Sequence, residues 1–323
     1  MASCLSVTDY AVVLGKTAAT EWALQLDVAP VPVSLAERDG HVVQFNYLAD
    51  IAPETNEAGR IVQLIEKLRQ QLSKIPDTDP VLLVLPEQLI NESQLQTVLN
   101  GLHQAFPQLL SHHACQLFPY GRSAALMALA AARQLLAAGE QRVWIIGVDS
   151  PVSSVLQQLS SGSVSAVSNI SSSVVWSEGA VAMCLSQSAV GLNCHFLASD
   201  ATVNKQQDEP AIAQLFSAVA TNIGSPLRCL YLADCGDDEF TARWQGHYSR
   251  LAALVNRETE LNFTGFATGE LGAAGGVYRL LHLYLGYLQD NEPGLTLQCE
   301  ISDRLYRAVA VFSWQTASST TDC

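Results

Sequence analysis

Charge is scarce in this chain, and basic charge is scarcest. Of 323 residues only 17 are lysine or arginine, against 31 aspartate or glutamate, and the formal net charge is -14. A surface of that sign repels phosphate backbones, and no basic stripe offsets the repulsion, so nucleic acid is excluded as a partner. The same acidity weighs against direct docking on an acidic carrier protein unless a local basic patch supplies the contact. No stretch reaches the length of a membrane span, and the N-terminus lacks a basic region followed by an apolar run. Neither membrane insertion nor export is expected, which leaves a soluble cytoplasmic protein. Paired cysteines are also missing. The eight, Cys4, Cys115, Cys184, Cys194, Cys229, Cys235, Cys299 and Cys323, are scattered without a CxxC pair or metal-ligand spacing. In a chain of this length they read as free thiols, and neither a metal nor a cofactor is expected.

What is abundant is apolar: 49% hydrophobic residues against 15% charged. That balance suits a large α/β core, or a surface partly covered by a partner. Short apolar runs alternate with helical periodicity. Tyr10 to Gly15 (YAVVLG) reads as a strand closed by glycine, and Ala58 to Lys74 as a helix with Ile61, Leu64, Ile65, Leu68 and Leu72 on one face. Val81 to Leu85 (VLLVL) is apolar on both faces, the mark of a strand covered on both sides. Ser93 to Ala105 reads as helix. Ser123 to Ala138 is an alanine- and leucine-rich helix with almost no charge, which places it inside the protein. Val143 to Gly147 (VWIIG), Val174 to Leu185, Leu227 to Ala233 and Ala308 to Trp314 read as strands, and Gly272 to Leu288 as a second small-residue helix. This alternation implies an α/β fold with helices on both faces of a sheet. The serine-rich stretch Ser153 to Ser173 is the clearest break, either a connection between two similar halves or a surface loop. The polar run Ala317 to Cys323 reads as a frayed end.

One segment is more specific. RSAALMALAAARQLLAAGEQRVWIIGVDSP, Arg122 to Pro151, resembles the nucleophile region of the β-ketoacyl synthases, in which a cysteine opens a buried small-residue helix. The helix, Gly139, Glu140 and the strand to Gly147 fall at matching spacing. SEGAVAMCLS (Ser177 to Ser186) is similar to that family's GEGAGALVLE strand, and TGELGAAGGVYRLLHLYLGYL (Thr268 to Leu288) to its GHTLGAAGAVEAI turn and helix. The three cover about a fifth of the chain, in the family's order. The resemblance implies a thiolase-like fold of two related α/β halves, with central helices between two mixed sheets, divided here as 1–165 and 166–323.

The departures from the family pattern carry the functional expectation. A ketosynthase holds its acyl chain on a cysteine thiolate and uses two histidines in decarboxylation and oxyanion stabilisation. Here Arg122 stands in the cysteine's place, and Gly269 in the place of the GHT histidine. The other histidine's place falls on Cys235 or Asp234, in YLADCGDDE, and no GFGG segment precedes Tyr306. Arginine forms no thioester and stays protonated, so it serves neither as nucleophile nor as general base. Arg122 is expected to fill the dead site in an ion pair with Asp234, Asp237 or Asp238, a ligand-binding role being the second reading. Cys115, beside His112 and His113, is the remaining candidate nucleophile, for an acyltransferase or thioesterase on the same scaffold. Its place, seven residues before Arg122, also suits an inert thiol on the preceding strand.

The resemblance therefore implies a non-catalytic subunit like a chain length factor. Such a subunit pairs with an active ketosynthase and helps shape the acyl-chain tunnel in a type II polyketide or fatty-acid-like system, for example an aryl polyene pathway. The acyl carrier protein would be reached through that partner. The strand before Arg122, Leu110 to Pro119, is where ketosynthases meet their partner, and Ala114, Leu117 and Phe118 are the expected contacts.

Overall fold

The computed structural model of the chain describes residues 4–15, 17–26, 34–38, 41–52, 54–73, 78–151, 174–202, 208–234, 236, 238–290 and 294–316. Its first stretch carries β1 (Cys4–Leu14), α1 (Thr20–Ala23), β2 (Ser34–Arg38), β3 (His41–Asn46), α2 (Glu57–Gln71) and β4 (Val81–Val84). There follow α3 (Glu92–Ala105), β5 (Gln116–Phe118), α4 (Ala124–Ala137), β6 (Val143–Asp149), β7 (Val175–Ser177) and β8 (Gly179–Ser188). The second stretch carries β9 (Gly191–Ala201), α5 (Asp208–Asn222), β10 (Leu227–Leu232), α6 (Asp238–Gln245) and β11 (Glu260–Asn262). It closes with α7 (Gly265–Thr268), α8 (Ala273–Asp290), β12 (Leu295–Ile301) and β13 (Tyr306–Gln315).

The sheet order shows a duplication. One block runs β5-β4-β6-β8-β1 and the other β11-β10-β12-β13-β9, so each places its third, second, fourth, fifth and first strands in that order. In both, the first three pairings are parallel, parallel and antiparallel, and the fifth strand then pairs antiparallel with the first. The blocks join edge to edge where Leu5 of β1 meets Leu192 of β9. The repeat passes from one block to the next between Ser188 and Gly191, later than the division at 165/166 read from sequence. β8, which begins at Gly179, pairs with β6 and β1 and so belongs to the first block. The serine-rich residues themselves, and 317–323, lie outside the described residues.

The apolar runs are explained by cover on both sides. Leu82 and Val84 of β4 face a central layer with α4 and α8, whereas Val81 and Leu83 face an outer layer with Ile61, Leu64, Ile65 and Leu68 of α2. β6 divides likewise, Val143 and Ile145 inward, Trp144, Ile146 and Val148 outward. In the second block Ala308, Ala310 and Phe312 of β13 face the central layer. Val309 and Val311 face Ile212, Phe216 and Val219 of α5. The two central helices thus lie between two sheet blocks, each covered outside by further helices. A strand between two apolar layers has no polar face, and each such side chain contributes about 1.5–3 kcal/mol by leaving water.

Two buried ion pairs cross this frame. Arg60 of α2 grips Glu178 through Nε at 2.8 Å and Nη2 at 2.9 Å, with both side chains fully buried. Glu178 also accepts from the Leu48 N–H and the Ser150 hydroxyl, so its carboxylate is well bonded. Arg279 of α8 meets Glu300 of β12 in the same bidentate manner, at 2.7 and 2.5 Å.

Candidate functional site

Past the end of β5 the chain makes a 3-10 turn, Gly121–Ser123, which leads into α4. This turn is stitched to the turn between β12 and β13. The Ser302 hydroxyl donates to the Tyr120 carbonyl at 2.6 Å and accepts from the Ser123 N–H at 3.0 Å. Ser123 Oγ in turn donates to the carbonyls of Tyr306 and Glu300, at 2.8 and 3.0 Å. Arg122, in the middle of the stitched turn, is therefore held at the start of the central helix and buried.

Its guanidinium has acids on two sides. Nε donates to Glu270 Oε1 at 2.8 Å and Nη1 to Asp303 Oδ1 at 2.6 Å, and the group lies over the Phe240 ring, 4.8 Å from its centroid. Arg122 is ion-paired, with Glu270 and Asp303 among its partners. Asp234 is occupied close by, accepting from the Gly236 N–H, the Thr241 hydroxyl and the Trp244 indole. Asp237 and the side chain of Asp238 lie outside the described residues, as does Cys235.

Glu270 owes its position to backbone pairing. Its N–H donates to the Val175 carbonyl at 2.7 Å, and its own carbonyl accepts from the Ser177 N–H at 2.9 Å. The carboxylate faces Arg122 and also accepts the Gly272 N–H at 2.7 Å. Gly269, one residue earlier, sits at φ 75°. A β-carbon there would stand 2.8 Å from the Val175 carbonyl oxygen and 2.9 Å from Ser177 Cβ. Backbone and neighbours alike exclude a side chain, so the histidine of the family motif has no room at this position.

Asp149, at the end of β6, completes the cluster. Its Oδ2 accepts the Ala273 N–H at 2.7 Å, at the start of α8. Burial pushes the Asp149 carboxyl well above its ordinary range, against the Ala273 hydrogen bond and the Arg122 charge, with Glu57 and Glu270 adding to the rise. The site thus holds a buried cation, acids bonded to it, and a carboxyl driven toward its neutral form. Among the described residues the groups that meet at Arg122 are carboxyl groups and the Phe240 ring. Among the described residues no group of three or more His, Cys, Asp and Glu is placed to hold a metal ion.

Cys115 lies elsewhere. It precedes β5, at the amino end of the strand whose carboxyl end leads to Arg122, and its Sγ accepts the Val81 N–H at 3.3 Å. Burial pushes its thiol up, which disfavours the thiolate a nucleophile needs. It packs on the outer layer with Leu117. Phe118, expected at a partner interface, is buried in the central layer of its own chain, because alternate residues of a strand face opposite sides. Ala114 and Leu117 are half-buried.

Three acids that matter here were not singled out from the sequence. Glu270 adjoins Gly269 in the TGE triplet, and Asp149 follows the VWIIG run, so each stood inside a recognised segment. Asp303 had no local signal.

The fold is a thiolase-like α/β fold, the one that ketosynthases of known structure share. No protein-family model matches the chain, and no curated protein matches it in sequence. The resemblance lies in three dimensions. A structure of the ishigamide ketosynthase/chain length factor superposes with a TM-score of 0.67 at 14% identity, over 97% of this chain and 100% of that one. A type II polyketide synthase acyl-carrier protein in complex with its ketosynthase bound to the hexaketide (AntDE:AntF) gives 0.59 at 11% identity, over 97% and 99%. An OleA variant of Xanthomonas campestris gives 0.60 at 14% identity, over 96% and 98%.

Proposed function

We propose that this chain is a non-catalytic ketosynthase-like subunit, comparable to a chain length factor. It pairs with an active β-ketoacyl synthase and helps shape the acyl-chain tunnel in type II polyketide or fatty-acid-like biosynthesis. The observation that carries the reading is the Arg122–Glu270 ion pair at the start of α4, where the sequence resemblance puts the nucleophile of a ketosynthase. The closed backbone at Gly269 supports it, since a restored cysteine would still lack its imidazole.

Pairing is favoured by the end of the sheet. β5 is the last strand of the first block and pairs with β4 on one side. A short strand with an open edge is a ready partner for a counterpart strand. With Phe118 committed to its own core, the contact falls on the β5 backbone, Leu117 and Ala114. An acyl carrier protein is then engaged through the partner, in keeping with the net charge of -14.

The test is to purify the chain alone and with a ketosynthase encoded beside it. Each preparation is then assayed for malonyl-carrier decarboxylation and condensation, and weighed by light scattering. The expected result is no turnover by the chain alone, a stable hetero-oligomer with the ketosynthase, and product length that changes when the chain is varied. Turnover by the chain alone, or a monomer indifferent to the ketosynthase, would overturn the proposal.

A further inference from the structure

The duplication sets the edge of β9 beside that of β1, and the two are treated differently. The strands meet at Leu5 and Leu192 and diverge beyond them, and each passes over one residue in its pairing, Thr8 in β1 and His195 in β9. Counted from these, Val12 of β1 corresponds to Ser199 of β9. Past Leu5 the free side of β1 is covered by its own chain. The Thr20 hydroxyl, at the start of α1, accepts the Val12 N–H at 3.0 Å and donates to the Val12 carbonyl at 3.2 Å. Ala23 of α1 is fully buried, and its carbonyl accepts from the Tyr278 hydroxyl of α8 at 2.9 Å. Leu24 and Leu26 pack on the central layer.

β9 has no such cover among the described residues. The Thr202 N–H donates to the Leu305 carbonyl, so by the alternation of an antiparallel pair Asp200 and Ala198 also direct their backbone groups to β13. Ala201, Ser199 and Leu197 therefore turn theirs the other way. The Ala201 N–H is met by Asp200 Oδ1, whereas no described group meets the backbone of Ser199 or Leu197 on that side. The helix that follows, α5, packs on the outer layer instead. Beside this edge lies a cleft of about 490 Å³, lined by the successive residues Cys194 to Ser199 and by Leu126, Met127, Ala130 and Arg133 of α4. Residues from both faces of the strand line it, so it follows the strand's edge. Arg133 is exposed and forms no ion pair among the described residues.

We propose that this cleft receives a segment of a partner protein chain, which does in trans what α1 does in cis. The segment is short and apolar, hydrogen-bonds the Ser199 and Leu197 backbone, packs on Leu126 and Met127, and brings one acid to Arg133. Polypeptide matches an edge of unpaired N–H and C=O groups, whereas a hydrocarbon ligand would leave them unmet. The chain's own α1 region has this composition, with Thr20, Ala23, Leu24 and Leu26 beside a single acid, Glu21. β5 takes no part in the cleft, so the site stands apart from pairing with a ketosynthase.

The probe is a fluorescein-labelled peptide of residues 17–26 (TAATEWALQL), titrated with the full chain and read by anisotropy. Saturable binding is expected. Ser199→Pro removes an edge N–H that β13 does not use, and should weaken binding about tenfold. Ala130→Phe fills the cleft from α4 and should do the same, with far-UV circular dichroism showing that both variants fold. Arg133→Glu, a surface change, should weaken binding of the parent peptide and strengthen that of a peptide carrying Glu21→Lys. Absence of saturable binding would overturn the site. So would binding that none of the three substitutions alters, which would put the peptide at β1 in competition with α1. Saturation of the cleft by dodecanoate but not by the peptide would assign it to a lipid and overturn the proposal equally.

Discussion

Gly276 of α8 lies directly against the carbonyl of Arg122: a β-carbon on it would stand 2.4 Å from that oxygen and 2.8 Å from Ala125 Cβ. The two central helices therefore make their close approach at the very turn that carries the site. Gly276→Ala should force them apart and destabilise the chain by about 1–3 kcal/mol. Urea unfolding followed by far-UV circular dichroism measures this, and a change below a few tenths would show that the helices yield freely.

Breaking the buried pair should be expensive, whereas replacing both members should be mild. Arg122→Ala leaves Glu270 buried beside an empty place and should cost about 3–5 kcal/mol. Arg122→Met combined with Glu270→Gln should recover more than half of that loss. Asp303→Ala, which removes a mostly exposed acid, should cost less than about 1 kcal/mol. A double-mutant cycle on unfolding free energies separates the three.

A cysteine placed at position 122 should not bring ketosynthase chemistry to this chain. Arg122→Cys supplies a sulfur, but it orphans Glu270 and leaves Gly269, where no imidazole fits. The expected result is alkylation by iodoacetamide without malonyl-carrier turnover. Condensation by this variant would show that the missing cysteine was the sole defect.

The sign of the pH dependence follows from Asp149. Its carboxyl is raised by burial in the folded chain, so the folded state binds the proton more tightly than the unfolded state does. This contribution is fully present below the unfolded value, about 4, and is lost as pH rises through the folded value. Asp149→Asn keeps an acceptor for the Ala273 N–H and cannot ionise. Its Tm should match that of the parent near pH 3 and exceed it increasingly toward pH 8. A difference in Tm between the two chains that stays constant across that range would contradict the assignment.

Neighbouring residues of β5 should separate folding from pairing. Leu117→Lys should weaken association with a ketosynthase while leaving the lone chain nearly as stable. Phe118→Ala should destabilise the lone chain by about 3–5 kcal/mol, since its ring fills the chain's own core. Size exclusion with light scattering and thermal unfolding read the two effects independently.

Much of the fold was legible because burial writes itself into local pattern. The VLLVL run, the alanine-rich helix before Gly139 and the second small-residue helix all appear as strand and helix in the structure, at β4, α4 and α8. Less legible was β1, which extends back to Cys4 through the polar alternation of its first residues, so that only its apolar end reads as strand. β9 and α5 were not marked, because partly exposed elements carry a weaker apolar signal. The division at 165/166 follows a change of composition at the serine-rich stretch. Strand pairing, which no single segment encodes, decides which block a strand joins.

At the site the division is sharper. The sequence by itself determined that an arginine, Arg122, precedes the central helix and that position 269 is a glycine, and only the resemblance makes these the expected places of a nucleophile and an imidazole. Only the tertiary structure decided what Arg122 pairs with. Glu270 lies 148 residues away and Asp303 181 away, each brought in by a different segment of the second block. Asp234, read as a candidate partner, turned instead to hydrogen-bond donors a few residues along its own chain. A buried charge takes the partner that the packing of distant segments places within reach, and that choice depends on distance in space rather than along the chain.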